Sequence, residues 1–247
     1  DLHVKVISDG IVERAKRRGL DAVVYAPHFR RIREIRERAE HFSDKELTII
    51  PAREVFTGSW RNRKHVLGIG IDEPVPDFIT LDGALEEFER QGAAILAPHP
   101  AFLTVSLSVA DIRENRERIH AIETYNPKHW PHHNRRASAL KTELDLAGYA
   151  SSYAHLEPTV GEVRTTFPGL DPTEEAVRKA LRERHPRSTE KRAGVEHQMR
   201  CALEFAHLGI ENTWKKFNRV VVSGTEPTHP GHPAYEGRFE DVRVDSV

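Results

Sequence analysis

Short apolar runs alternate with amphipathic segments from the first residue to about residue 154, and this spacing constrains the fold more than any other feature. LHVKVI (2–7), DAVVYAP (21–27), LTIIPA (47–52), HVLGIGI (65–71), AAILAP (93–98), IHAIETY (119–125) and YASSYA (149–154) predict strands. The segments 11–19, 31–42, 81–92, 109–119 and 133–147 predict helices, the second with Ile32, Ile35 and Ala39 on one face. Strand, loop, helix and strand at this spacing is the pattern of βα units and a parallel sheet. The number of units favours a closed α/β barrel over an open doubly wound sheet, and 247 residues is close to the ~250 of such barrels. No Gly-rich or Walker-type loop follows the first strand, which disfavours a dinucleotide-binding fold.

After Gly169 the texture changes. DPTEEAVRKALRERH (171–185) predicts a helix with Asp171 as N-cap and Pro172 at its first position. Residues 187–194 read as a loop, and VEHQMRCALEFAHLG (195–209) as a helix with Val195, Met199, Ala202, Leu203 and Ala206 facing the core. RVVVSG (219–224) adds a last strand, and the tail from Thr225 reads as irregular. The organisation expected is a barrel over 1–185 with a helical extension and tail, 186–247, packed on it. Lys and Arg total 37 against 38 Asp and Glu, so no bulk cationic field points to nucleic acid or an anionic membrane. The single cysteine, Cys201, excludes an internal disulfide and fits a reducing compartment. No apolar run reaches membrane-span length and no signal-peptide pattern opens the chain, so a cytoplasmic location is expected.

In parallel α/β architectures the chemistry lies beyond the C-terminal ends of the strands. There this chain, which has 15 histidines, places metal-capable or polar groups. His3 is in the first strand, His28 follows the second, Glu54 follows IIPA, and His99 sits in APHP. Glu123 and Asn126 end IHAIETYNP, and His155 ends YASSYAH. His65 instead opens its strand and reaches the same rim only if the 52–66 connection folds back. Each histidine alone reads as a packing residue, but their convergence points to a metal. A His/Glu set without Cys suits Zn, Mn or Fe. His41, His120, His185, His197 and His207 fall within predicted elements and read as packing or surface residues, and His129, His132 and His133 near Trp130 read as a polar rim. No G-x-S-x-G occurs, and Cys201 reads as a packing residue.

Six blocks carry a family resemblance: DLHVK (1–5), GLDAVVYAPH (19–28), PAREV with RKHVLGIGID (51–72), ILAPHP (95–100), AIETYNP with NRRA (121–137), and SSYAHLEPTVGEVRTTF (151–167). In this order and spacing they resemble the PHP (polymerase and histidinol phosphatase) superfamily of metal-dependent phosphoesterases. The resemblance implies a distorted (β/α)7 barrel with up to three metals at its C-terminal mouth, hydrolysing phosphomonoesters or phosphodiesters by metal-activated water. Residue by residue, it implies one metal site of Glu54, His65 and His99, and another of His28, His155 and Asp9, although the 5–9 connection is one residue shorter than the common pattern. A further site is altered, because Lys5 stands where the family has a second histidine after His3 and Tyr153 stands where it has an aspartate.

A protonated lysine has no lone pair to give a metal, but it can occupy the space and charge of one. Lys5 is therefore expected to contact Glu54 or a substrate phosphate, and His3 and Lys5 are assigned catalytic roles. Two divalent ions are expected. Trp60, Arg61 and Arg63 in the loop VFTGSWRNRK could clamp phosphate and stack a base, with Asn126 and Lys128 as secondary substrate contacts. The expected partner is a phosphorylated small molecule or, by preference, a nucleotide or oligonucleotide end, with no membrane partner. The alternative is a non-catalytic barrel of the same type that binds a ligand, nucleic acid or protein.

Overall fold

The alternation folds into a six-stranded sheet whose strands follow chain order. They are β1 (Ala22–Tyr25), β2 (Thr48–Thr57), β3 (Lys64–Ile69), β4 (Ala94–Ala97), β5 (Ala121–Tyr125) and β6 (Ala147–Ala150). The structure, a computed structural model, describes residues 1–59, 61–102, 105–210 and 228–244. Between the strands lie α1 (Asp9–Arg17), α2 (Ile32–Phe42), α3 (Leu81–Arg90), α4 (Val109–Glu114) and α5 (Pro131–Glu143). β1 and β2 are parallel, as are β4, β5 and β6, whereas β3 runs antiparallel to both its neighbours. The start of β3 therefore lies at the end where the other strands finish, and Phe56 of β2 pairs with His65 of β3.

The first predicted strand is reduced to bridges at Val4, which pairs in parallel with Tyr25 of β1 and with Ala154 beyond β6. The Ala26 and Lys5 amides donate to the Val4 and Ala154 carbonyls at 2.9 and 2.7 Å. Val4 thus ties the two edges of the sheet together and gives the distorted barrel expected of the PHP type. Extended alternation turns Val4 into the helix-side core and leaves His3 and Lys5 on the opposite side.

One apolar cluster joins the sheet to the helices through Ile11, Ala15, Ile32, Ile35, Leu85 and Phe88. The stripe Ile32, Ile35, Ala39 is the buried face of α2, as its period predicts. A second cluster fills the barrel with Val24, Ile50, Leu67, Ile69, Leu96 and Tyr149, joined by Val177 and Leu181 of α6 (Glu174–Arg182). No helix among the described residues is long and apolar enough to cross a membrane.

Several elements depart from the sequence reading. α4 is shorter than 109–119, because Asn115 turns its side-chain amide back to the Asp111 carbonyl at 3.0 Å and ends the helix. α6 is capped by Thr173, whose hydroxyl accepts from the Ala176 amide at 3.2 Å, rather than by Asp171. The expected loop at 187–194 contains β8 (Ser188–Lys191), antiparallel to β7 (Val163–Thr166). Its sequence STEK is exposed throughout and carries no apolar period to signal a strand.

The helix α7 (Val195–Ile210) turns a different face inward from the one its apolar residues predict. His197, Cys201 and Glu204 are buried, whereas Val195, Met199 and Leu203 are 72, 58 and 67% exposed. Ion pairs of His197 with Glu162 and of Glu204 with Lys128 fix its orientation, so apolarity does not. The strand expected at 219–224 lies outside the described residues. The tail at 228–244 is more ordered than expected: it carries a short 3-10 helix (Pro233–Tyr235), bridges Ile79 through Arg243, and buries Tyr235 and Phe239 in the helix-side core. Each such aromatic contributes ~1.5–3 kcal/mol relative to exposure.

Candidate metal centre

β2 carries two adjacent charged residues, and the alternation of a strand sends them to opposite sides. Arg53 pairs with Asp77 at 2.6 Å and donates to the Glu54 carbonyl at 2.7 Å. The Glu54 side chain points the other way and is fully buried. Four imidazoles and one ammonium surround it. His3 Nε2 and His99 Nε2 lie 3.4 and 3.2 Å from Oε1, while His28 Nδ1 and His65 Nδ1 lie 3.1 and 3.5 Å from Oε2. Lys5 Nζ donates to Oε2 and also to the Ala26 carbonyl at 2.7 Å. His65 comes from the start of the reversed β3, on the same face of the hairpin as Glu54 and diagonal to it.

The electrostatics follow from burial. It would push the Glu54 carboxyl up, but Lys5 and the imidazoles outweigh it and hold Glu54 well below the usual carboxylate range. Burial also holds His3, His28 and His155 well below the ordinary histidine value, with Lys5 adding to the effect, and lowers His65. The Lys5 ammonium is lowered to about 8 by burial, against the attraction of Glu54. The cluster is thus an anion faced by one cation and several neutral imidazoles, and neutral imidazole is the metal-binding form.

His3 Nδ1 and His65 Nε2 are buried without a hydrogen-bond partner, and the other ring nitrogen of each reaches Glu54 only at 3.4 and 3.5 Å. Such atoms cost free energy unless something satisfies them. The ligand atoms of His28, Glu54 and His65 all lie within 4.8 Å of one another. Two imidazoles and a carboxylate at this spacing fit a Zn, Mn or Fe ion. His99 is the next donor. Its Nδ1 meets the Ser106 hydroxyl at 3.1 Å, which holds the ring with Nε2 toward Glu54.

Tyr153, where the resemblance leads one to expect a carboxylate, lies against the same cluster. Its ring is 4.8, 5.2 and 4.7 Å from those of His3, His99 and His155, and the Lys5 and Lys128 ammoniums stand 5.6 and 5.0 Å from its centre. Tyr153 and His99 both have positive φ, 50° and 34°, an uncommon conformation for residues of this size. Strain of this kind concentrates at functional sites.

The other expected site residues divide clearly. His155 is at the mouth, 6.3 Å from His28 between ring centres, but its Nδ1 faces the Tyr153 carbonyl at 2.9 Å. Asp9 is not brought to the cluster: it is exposed in the first turn of α1, which Ser8 caps through the Ile11 amide. Asn126 is buried between Glu123 and the Lys128 amide, at 3.2 and 3.1 Å, so its side chain shapes the turn. Lys128 is buried too, donating to the Ser152 and Tyr153 carbonyls and lying 3.1 Å from Glu204. Arg63 stands 5.9 Å over the Phe56 ring, Arg61 is exposed beside Ser59, and Trp60 lies outside the described residues.

Two further buried carboxylates brace the site: Glu123, which the sequence places at the rim, and Glu204, which it does not. Glu123 accepts from the His99 amide at 2.8 Å and from the Ser151 hydroxyl, and burial raises its pKa. Glu204 of α7 accepts from the amides of His155 and Leu156, and so anchors the turn that carries Tyr153 and His155. The spacing His197, Cys201, Glu204 along one helical face was the available signal for Glu204.

Residues 131–186 match the PHP-associated family. An uncharacterized protein of Methanocaldococcus jannaschii is 28% identical over 109 residues, which span 42% of this chain and 41% of that protein. Among solved structures the fold resembles PsfC from Pseudomonas syringae PB-5123, with a TM-score of 0.60 at 18% identity over 86% of this chain and 94% of that one. It also resembles a two-domain protein from Bacteroides vulgatus containing a predicted PHP-like metal-dependent phosphoesterase. There the TM-score is 0.58 at 19% identity, covering 83% of this chain and 68% of that one. At these identities the likenesses establish the fold.

Proposed function

We propose that this chain, whose fold resembles PHP-type barrels and whose residues 131–186 match the PHP-associated family, hydrolyses phosphate esters with a divalent metal at the Glu54 cluster. The observation that carries this reading is the buried His28–Glu54–His65 group, together with the unsatisfied His3 Nδ1 and His65 Nε2. His28, Glu54 and His65 would hold the ion, with His99 as the adjacent donor. A second ion on the His155 side would need a carboxylate that Asp9, out on α1, does not supply. When bound, a divalent ion supplies Lewis acidity toward the phosphoryl oxygens and lowers the pKa of water.

The chain's own residues set up the rest. Lys5 stands in for part of a metal site: it neutralises one oxygen of Glu54 and places a fixed positive charge where phosphoryl charge develops. Ser106 orients His99, and Glu123 holds the His99 backbone in its positive-φ turn. Tyr153, seated against His3 and His99, excludes water from that side of Glu54.

The test is hydrolysis of an aryl phosphate by protein stripped of metal and reloaded with Zn or Mn, compared with His65→Ala. The expected result is metal-dependent turnover with roughly one ion bound per chain, falling at least 100-fold in the variant. Turnover equal in both proteins would refute the assignment. The Lys5–Glu54 ion pair favours a second reading, a barrel that binds phosphate esters without cleaving them. Metal-dependent binding with no product would decide for it.

A further inference from the structure

Outside the Glu54 cluster, ring side chains continue from the mouth to the surface in an unbroken line. The His99 ring, whose Nε2 is 3.2 Å from Glu54, lies 6.4 Å from that of His129. His129 stacks on Phe102 at 3.8 Å with the planes 20° apart, and Phe102 meets His133 edge-on at 4.9 Å. His133 lies 4.1 Å from His132, and both are 5.7 Å from Trp130. Trp130 is 54% exposed, so the line begins at the buried cluster and ends on an open indole.

The wall is held rigidly. Trp130 is the N-cap of α5, and Pro131 fixes the first helical φ. Asn134 closes the turn by accepting from the Asn126 amide and donating to the Asn126 carbonyl, each at 3.0 Å. A fixed ring surface of this kind carries no cationic side chain for a phosphate but presents π faces and edges to another flat ring.

We propose that this wall receives a planar aromatic portion of the substrate, so that the preferred phosphate ester carries a nucleobase-type ring. The inference rests on the hydrolase reading of the Glu54 cluster and adds the organic part of its substrate. Trp130 is the principal specificity-determining residue, with Phe102 and His133 extending its surface inward.

The test compares a purine nucleoside monophosphate with ribose 5-phosphate as substrates of the metal-loaded full chain. Trp130→Ala is expected to raise KM for the nucleotide roughly 5- to 150-fold, the range of one lost base–aromatic stack. It should leave ribose 5-phosphate within twofold, and Trp130→Phe should recover most of the nucleotide effect. Equal changes for both substrates, or none, would overturn the inference. If the wild type releases phosphate from neither ester, the hydrolase reading fails. Calorimetric binding of the nucleoside monophosphate then tests the wall alone, and affinity unchanged by Trp130→Ala overturns it.

Discussion

Replacing Lys5 by methionine probes whether an ammonium balances Glu54 in place of a metal. Both partners are buried, Glu54 fully and Lys5 to 6% exposure, so neither charge is screened by solvent. Removing one member of a buried pair strands the other and costs ~3–5 kcal/mol. For a chain of this size each kcal/mol moves Tm by ~2–4 °C, so Lys5→Met should melt roughly 6–20 °C lower in the presence of a chelator. Glu54→Gln should cost less, because an ammonium already lowered to about 8 can shed its proton. The double variant Lys5→Met/Glu54→Gln, which buries no net charge, should be more stable than the sum of the single effects by at least ~2 kcal/mol. Added Zn or Mn should raise the Tm of Lys5→Met more than that of the wild type, since the ion replaces the missing charge. Thermal melts with and without metal decide the matter. A Tm for Lys5→Met within 2 °C of wild type, or strict additivity in the double variant, would sink the stand-in role.

Two further outcomes follow from groups beyond the cluster. His120 accepts the Ile95 amide on Nδ1 at 2.9 Å, and burial lowers its pKa to about 4. The unfolded chain takes up this proton near pH 6.5 and the folded chain only near 4, so stability is full above 6.5 and is lost as pH falls between them. The half-buried ring reduces this contribution to on the order of 1–2 kcal/mol. His120→Asn, which keeps an acceptor, should flatten the slope of denaturant stability between pH 6.5 and 4; an unchanged slope would exclude the assignment. Glu204→Gln should loosen the 152–156 turn, measured as at least tenfold faster amide exchange at His155 and Leu156, with the exchange of α2 unchanged. Equal exchange in both proteins would deny Glu204 its anchoring role.

Much of the barrel was legible because its strands and helices differ in apolar period, as in Ile32, Ile35 and Ala39 on α2. The convergence of His28, Glu54 and His99 was legible because strand ends in a parallel sheet share a rim, whereas His65 joins them through the reversal of β3. What escaped was set by polar contacts. β8 has no apolar residue to mark it, and α7 is oriented by Glu204 and His197 against the direction its apolar residues favour. Asp9 matched a position in the sequence but belongs to the helix that Ser8 caps. Asn126 and Lys128, expected at the substrate, are instead engaged with the backbone and with Glu204.

The reversal of β3 sets a carboxylate and an imidazole in one hairpin. Glu54 and His65 are fixed to each other by ladder register, Glu54 opposite Leu67 and Phe56 opposite His65. A slip of one residue would throw both ligands to the wrong face at once. The paired stem is therefore a single mount: the carboxylate and the imidazole keep their common face together or lose it together.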